Sequence, residues 1–268
     1  MIQRQPAVAG QFYAGNSKQL RSDLAALMPE AHGQRKVTGI IAPHAGYVYS
    51  GAIAGKVYAA IEIPETILIL GPNHHGAGAG AALYPDGQWF TPLGSVTINS
   101  RLNSLLQQHA PYIRPDAIAH EFEHSLEVQI PFIQYLRPDA TISAICLGHG
   151  DYGAIRRIGE GVAAAIRAYG KDVLIVASSD MTHYESAESA RRKDELALKK
   201  VLGFDPQGLL QVCRSESITM CGVVPAAVML TAAVDLGATQ TELVAYGTSG
   251  DVTGDNRQVV GYAAVAVW

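Results

Sequence analysis

Four apolar β-type runs in this chain each end in a histidine, or in a histidine paired with an aspartate. Ile40-Ile41-Ala42-Pro43 leads to His44, and Ile67-Leu68-Ile69-Leu70-Gly71-Pro72-Asn73 leads to His74 and His75. Ile142 to Leu147 leads to His149. Val173-Leu174-Ile175-Val176 leads through Ala177-Ser178-Ser179 to Asp180 and His183. In an open α/β sheet, ligands bind in the crevice beyond the carboxyl ends of the strands. Imidazoles delivered to that edge can share one pocket however far apart they lie in sequence. The pattern points to a metal site or to acid/base chemistry.

The text between these runs supports such a sheet. Helical periodicity is expected over Ser17–Met28, with Asn16 or Ser17 as cap, and over Ser50–Ile61, Ser100–His109, Ser125–Leu136, Ala154–Tyr169, Ala187–Leu202, Pro206–Cys213 and Gly222–Leu236. Strands are expected at Val37–Ala42, Thr66–Leu70, Thr141–Leu147, Asp172–Val176, Glu242–Tyr246 and Val259–Val267, with an inserted hairpin between Ala81 and Asn99. Strands alternating with helices predict an α/β fold, a layered domain whose central, mostly parallel or mixed sheet is flanked by helices. No repeat or linker divides residues 1–268, so one domain is expected.

Charged residues make up only 16% of the 268, so much of the chain belongs to an interior. No basic stripe interleaved with aromatics occurs, which argues against nucleic acid. Arg191-Arg192-Lys193-Asp194-Glu195 mixes signs and reads as a solvated helix face. The most apolar stretch, Gly222 to Val234, is too short to span a bilayer and reads as a buried helix. Three cysteines without a CxxC pairing, and no signal-peptide layout, lead to the expectation of a reducing cytoplasm.

Particular residues carry the chemistry. His44 is either a metal ligand or a loop histidine held by a backbone bond. Adjacent His74 and His75 point in different directions, so one faces the crevice and the other supports a loop. Asp180 and His183 suit a general acid/base with a carboxylate neighbour, unless Asp180 only caps a helix. In Glu121-Phe122-Glu123-His124-Ser125-Leu126-Glu127 the acids read as the first turn of a helix, with His124 and Glu127 on one face and His124 a further site candidate. Cys221 is either a core thiol or a thiolate ligand or nucleophile at a helix start. His149 reads as a turn residue, and His32, His109 and His120 as surface residues.

Together these segments resemble the Memo family, relatives of the class III extradiol dioxygenases. The resemblance rests on Pro6-Ala7-Val8-Ala9-Gly10-Gln11-Phe12-Tyr13, Ala42-Pro43-His44-Ala45-Gly46-Tyr47, Gly71-Pro72-Asn73-His74-His75, Thr91-Pro92-Leu93, Glu123-His124-Ser125-Leu126-Glu127, Ser178-Ser179-Asp180 with His183, and Cys221-Gly222. It implies an extradiol-dioxygenase-like domain with metal ligands at His44, His74 and Cys221. His183 is implied as the acid/base residue, with Asp180 and His124 nearby. Iron(II) is the implied metal, with copper or zinc as alternatives. In the dioxygenases the third ligand is a glutamate; a cysteine there changes the charge and softness of the site. The resemblance also implies a radical-SAM partner protein, as in the AmmeMemoRadiSam system, and, from animal relatives, phosphotyrosine-peptide binding.

Three functions follow as expectations. The first is an iron-dependent redox enzyme, or an accessory protein beside a radical-SAM partner, acting on a small molecule. The second is a non-catalytic module that binds a peptide or sequesters metal. A metal-assisted hydrolase ranks last, because the sequence lacks the oxygen-rich cluster of a two-metal site.

Overall fold

The computed structural model describes residues 2–30 and 33–268. In chain order the elements are β1 (Gln3–Arg4), α1 (Ser17–Leu27), β2 (Gly39–Ala42), α2 (Tyr47–Ala60), β3 (Thr66–Pro72), β4 (Ala81–Leu83), β5 (Gln88–Thr91), β6 (Gly94–Ile98), α3 (Ser100–His109), β7 (Arg114–Pro115) and α4 (Ile130–Leu136). They continue with β8 (Thr141–Leu147), α5 (Tyr152–Tyr169), β9 (Leu174–Ser178), β10 (His183–Glu185), α6 (Ala187–Leu202), α7 (Pro206–Ser215), α8 (Val223–Asp235), β11 (Thr241–Thr248), α9 (Gly250–Thr253) and β12 (Val259–Val267). The expected helix over Ser125–Leu136 forms only from Ile130, preceded by a 3-10 turn over Glu127–Gln129, whereas at α5 local capping moves the start. Asp151 accepts the Ala154 N–H at 2.9 Å, so α5 starts two residues before the expected Ala154.

The strands form one mixed sheet in the order β1-β5-β6-β8-β3-β9-β2-β12-β10, with β4 also on β8 and β11 on β12. Its centre, β6-β8-β3-β9-β2, is parallel, while β12 runs antiparallel to β2 and closes that flank with β10 and β11. The expected hairpin is the antiparallel pair β5–β6. Alternate side chains of each central strand enter opposite cores. Leu68, Leu70 and Ile175 pack with α3, α5 and α8 on one face; Ile67, Ile69 and Val176 pack with α1, α2 and α4 on the other. Both faces being covered explains why these strands are continuously apolar.

That burial also aligns the strand ends. Ala42 pairs with Ser178, and Leu70 with Ala177, so the chain leaves β2, β9 and β3 side by side at one edge. No helix among the described residues is long and apolar enough to cross a membrane.

Candidate metal centre

His44, His74 and Asp180 follow the three neighbouring strands β2, β3 and β9 and therefore arrive at the same edge. Cys221 reaches it from the opposite direction, one residue before Gly222, the N-cap of α8. Any side chain at Gly222 would collide with the Ser178 carbonyl at 2.3 Å, so only glycine lets α8 approach β9 this closely. As a result Cys221 Sγ lies 3.2 Å from His44 Nε2, across 177 residues of sequence. One ligand atom from each of His44, His74 and Cys221 lies within 4.8 Å of the other two.

Hydrogen bonds assign the tautomers. Gln129 must present its amide nitrogen to the Pro43 carbonyl (3.0 Å), and the same nitrogen donates to Ser178 Oγ at 2.8 Å. Ser178 spends its one proton on the Ser125 carbonyl at 2.6 Å, leaving its oxygen to accept from His44 Nδ1 at 2.9 Å. His44 is thus protonated on Nδ1 and keeps its Nε2 lone pair for the cluster. Glu123 does the same for His74, accepting its Nδ1–H at 2.9 Å and its backbone N–H at 2.6 Å.

His124 completes a triangle of imidazoles. Its ring stacks on His74 at 4.7 Å, meets His44 edge-on at 5.4 Å, and is backed by Phe12 at 4.8 Å. His74, Glu123 and His124 also bring ligand atoms within 4.8 Å of one another. Glu123 is engaged by both His74 N–H groups and by the Ser125 N–H at 2.9 Å, with His124 Nδ1 a further 3.5 Å from Oε1, an arrangement that suits it to orienting His74.

His44 and His74 border a cleft of about 720 Å³ that also contains His124, Asp180, His183, Tyr49, Tyr184 and Tyr262. His183 opens β10. Its Nδ1 faces the Thr219 carbonyl at 3.0 Å, which makes Nδ1 the protonated atom and leaves Nε2 free. Asp180 caps no following helix; its Oδ1 accepts the backbone N–H groups of His44 (2.8 Å) and Ala45 (3.3 Å), tying the β9 and β2 exits together.

Burial dominates the electrostatics. It holds His44 well below the ordinary histidine pKa, with neighbouring His124 and His74 acting the same way, and lowers His124 to about 4. It raises Asp180 to about 6 and pushes the Cys221 thiol up. Glu123 is the exception: burial is outweighed by the bonds from His74 and Ser125, which bring it down to about 2. Two imidazoles, each held through Nδ1, and one thiol fit a divalent or soft cation, the thiol losing its proton on coordination.

Other histidines stand elsewhere. His75 supports the loop, as expected, through Nε2 to the Phe122 carbonyl at 3.0 Å. His149 is exposed and outside the trio, His109 is half-buried at the end of α3, and His32 lies outside the described residues. His120 was expected at the surface and is instead fully buried, its Nε2 donating to the Ala82 carbonyl at 3.0 Å between Tyr84 and Trp89. Asp194 also departs from expectation: it is the buried member of its charge cluster, accepting from Thr182 N–H and Tyr246 O–H. Glu127 does not work with His124. Fully buried, it pairs with Arg4 at 2.6 Å and accepts from Tyr13 and the Ala7 and Val8 amides. Arg4 also donates to the His120 and Glu123 carbonyls at 2.7 Å each, so the N-terminal segment holds the loop that carries Glu123.

The sequence reading therefore missed Glu123, Ser178 and Gln129, the groups that aim the imidazoles. Glu123 and Ser178 lie in segments that carry the family resemblance, one beside His124 and the other before Asp180 at a strand end, whereas Gln129 carried no signal.

A family model described as Memo-like protein matches residues 4–266. A MEMO1 family protein of Methanopyrus kandleri is 38% identical over 278 residues, with 98% of each chain covered. A MEMO1 family protein of Methanococcoides burtonii is 43% identical over 269 residues, covering 98% of this chain and 99% of the relative. The crystal structure of an uncharacterized protein from Escherichia coli K12 is similar in fold, with a TM-score of 0.52 at 14% identity, covering 86% of this chain and 99% of that one.

Proposed function

The chain belongs to the Memo family, and from that membership we propose that it is a metal-dependent redox protein in which His44, His74 and Cys221 hold one iron(II) ion beside a small molecule in the 720 Å³ cleft. The observation that carries this reading is the convergence of three ligand atoms within 4.8 Å. Bound there, iron supplies a redox-active Lewis acid.

The chain's own groups divide the remaining work. Ser178 and Glu123 fix the two ligand tautomers, so the ion meets lone pairs that need no reorientation. His183 presents Nε2 to the cleft and carries a proton to or from the bound molecule, while its Nδ1–H stays on Thr219. Asp180 keeps the His44 backbone in place. Phe12 and His124 wall the cleft and limit water around the ligands.

Anaerobic loading with iron(II), followed by oxygen uptake on a panel of catechols and phenols, tests the reading. Uptake that needs both iron and an organic substrate, and that vanishes in His44→Ala, supports it. Stoichiometric iron binding without uptake on any compound would leave a metal-holding module in its place.

A further inference from the structure

A second cleft of about 560 Å³ opens on the other side of the trio; His74 lines both clefts, whereas His44 lines only the first and Cys221 only the second. β3 explains this geometry. Its end faces β9 on one side, where the first cleft lies, and β8 on the other, where Leu147, Gly148 and His149 lead into the second. His74 is thereby reached from two directions, and Cys221 is reached from the second cleft.

The linings have opposite character. The first cleft contains Asp180 and Asp255 but neither lysine nor arginine. The second contains Arg214 and no aspartate or glutamate. Its remaining wall is largely apolar, with Leu147, Leu210, Ile218, Met220 and Val224. Depth follows burial: Ile218, Met220 and Val224 are buried, whereas Arg214, in the last turn of α7, is exposed and stands at the mouth. Among the described residues Arg214 makes no ion pair and no side-chain hydrogen bond.

A guanidinium without a carboxylate partner, above an apolar trough, matches a ligand that is charged at one end and greasy at the other. The planar fork binds a carboxylate through two parallel bonds, and the trough removes hydrocarbon from water. A cation would meet Arg214 with like charge, and a small hydrophilic acid would leave the trough wet. The volume falls in the range of small-molecule sites.

We propose that the second cleft binds an apolar monocarboxylate, its charge on Arg214 and its hydrocarbon end directed between Ile218 and Val224 toward His74 and Cys221. The site goes beyond the proposed redox function and needs no bound ion. Its occupant would touch the trio from the side that His183 does not serve.

Calorimetric titration of the full chain, stripped of metal with a chelator, tests the proposal with octanoate, octylamine and acetate as probes. Octanoate is expected to bind at least about tenfold more tightly than either of the others. Arg214→Met should weaken octanoate at least about tenfold while leaving cobalt(II) affinity unchanged, because Arg214 is not among the three converging ligands. Leu210→Trp, which fills the trough, should abolish binding, whereas Gln258→Trp in the first cleft should not affect it. No saturable octanoate binding, equal binding of octylamine, indifference to Arg214→Met, or loss only in Gln258→Trp would each overturn the proposal. Cobalt affinity is read separately, so failure here leaves the metal centre untouched.

Discussion

Glu123 takes both nitrogen donors of His74, the backbone N–H at 2.6 Å and ring Nδ1–H at 2.9 Å. A single buried carboxylate thus fixes where this ligand stands and which nitrogen it offers. Glu123→Gln keeps the shape and removes the charge. It should reduce metal affinity by about 10–100-fold, the usual cost of losing an orienting partner. Competition against a chromogenic chelator measures this; an unchanged constant would mean that His74 is held by something else.

His183 lies in the cleft but not among the three converging ligands. His183→Ala should therefore retain metal within about threefold of wild type and lose turnover by two or more orders of magnitude. Metal stoichiometry and oxygen uptake on the same sample separate the two effects. If the variant loses metal as fully as His44→Ala does, His183 is a ligand and its role has been misassigned.

Cys221 sets the softness of the site. A hydroxyl in its place is a poor partner for a soft ion, so Cys221→Ser should cost Cu(I) affinity far more than Fe(II) affinity. The thiol must also ionise to coordinate, so wild-type affinity should fall as pH falls, by up to tenfold per unit below the thiol pKa. Parallel titrations with both metals decide the matter. Equal losses for both ions would speak against a metal–sulfur bond.

The elements that the sequence announces most clearly are those whose surroundings repeat along their length. β2, β3 and β9 are buried on both faces and therefore read as largely apolar runs, and the strand-end placement of His44, His74 and Asp180 follows from them. Short pieces such as β1, β7 and β10 carry no such text, because pairing with β5, β4 and β12 creates them. Glu123 looks like a helix-capping acid until the loop folds over His74. His120 and Asp194 look solvent-facing because polar letters surround them, yet Trp89 covers the first and Gly261 packs on the second. Local sequence cannot signal a contact made by a distant segment.

Burial lowers His120 to about 4, outside the ligand set. Folding therefore favours its neutral form, and its contribution is fully present above the unfolded pKa of about 6.5. As pH falls from about 6.5 to 4 the unfolded chain takes up a proton that the native one refuses, and about 3 kcal/mol of stability is lost. Urea unfolding of metal-free protein across this window should show the slope. His120→Phe should flatten it; an identical slope in that variant would assign the loss to other groups.

The contact between Cys221 and His44 spans 177 residues and depends on α8 docking against the end of β9. A chain still being synthesised carries both imidazoles well before its thiol emerges. On the proposed metal function, a nascent chain would grip an ion only weakly, and tight capture must await the last quarter of translation and the closure of this 177-residue loop. Under that function, acquisition of the ion is consequently a post-folding event, and its retention would be an assay for a correctly finished chain.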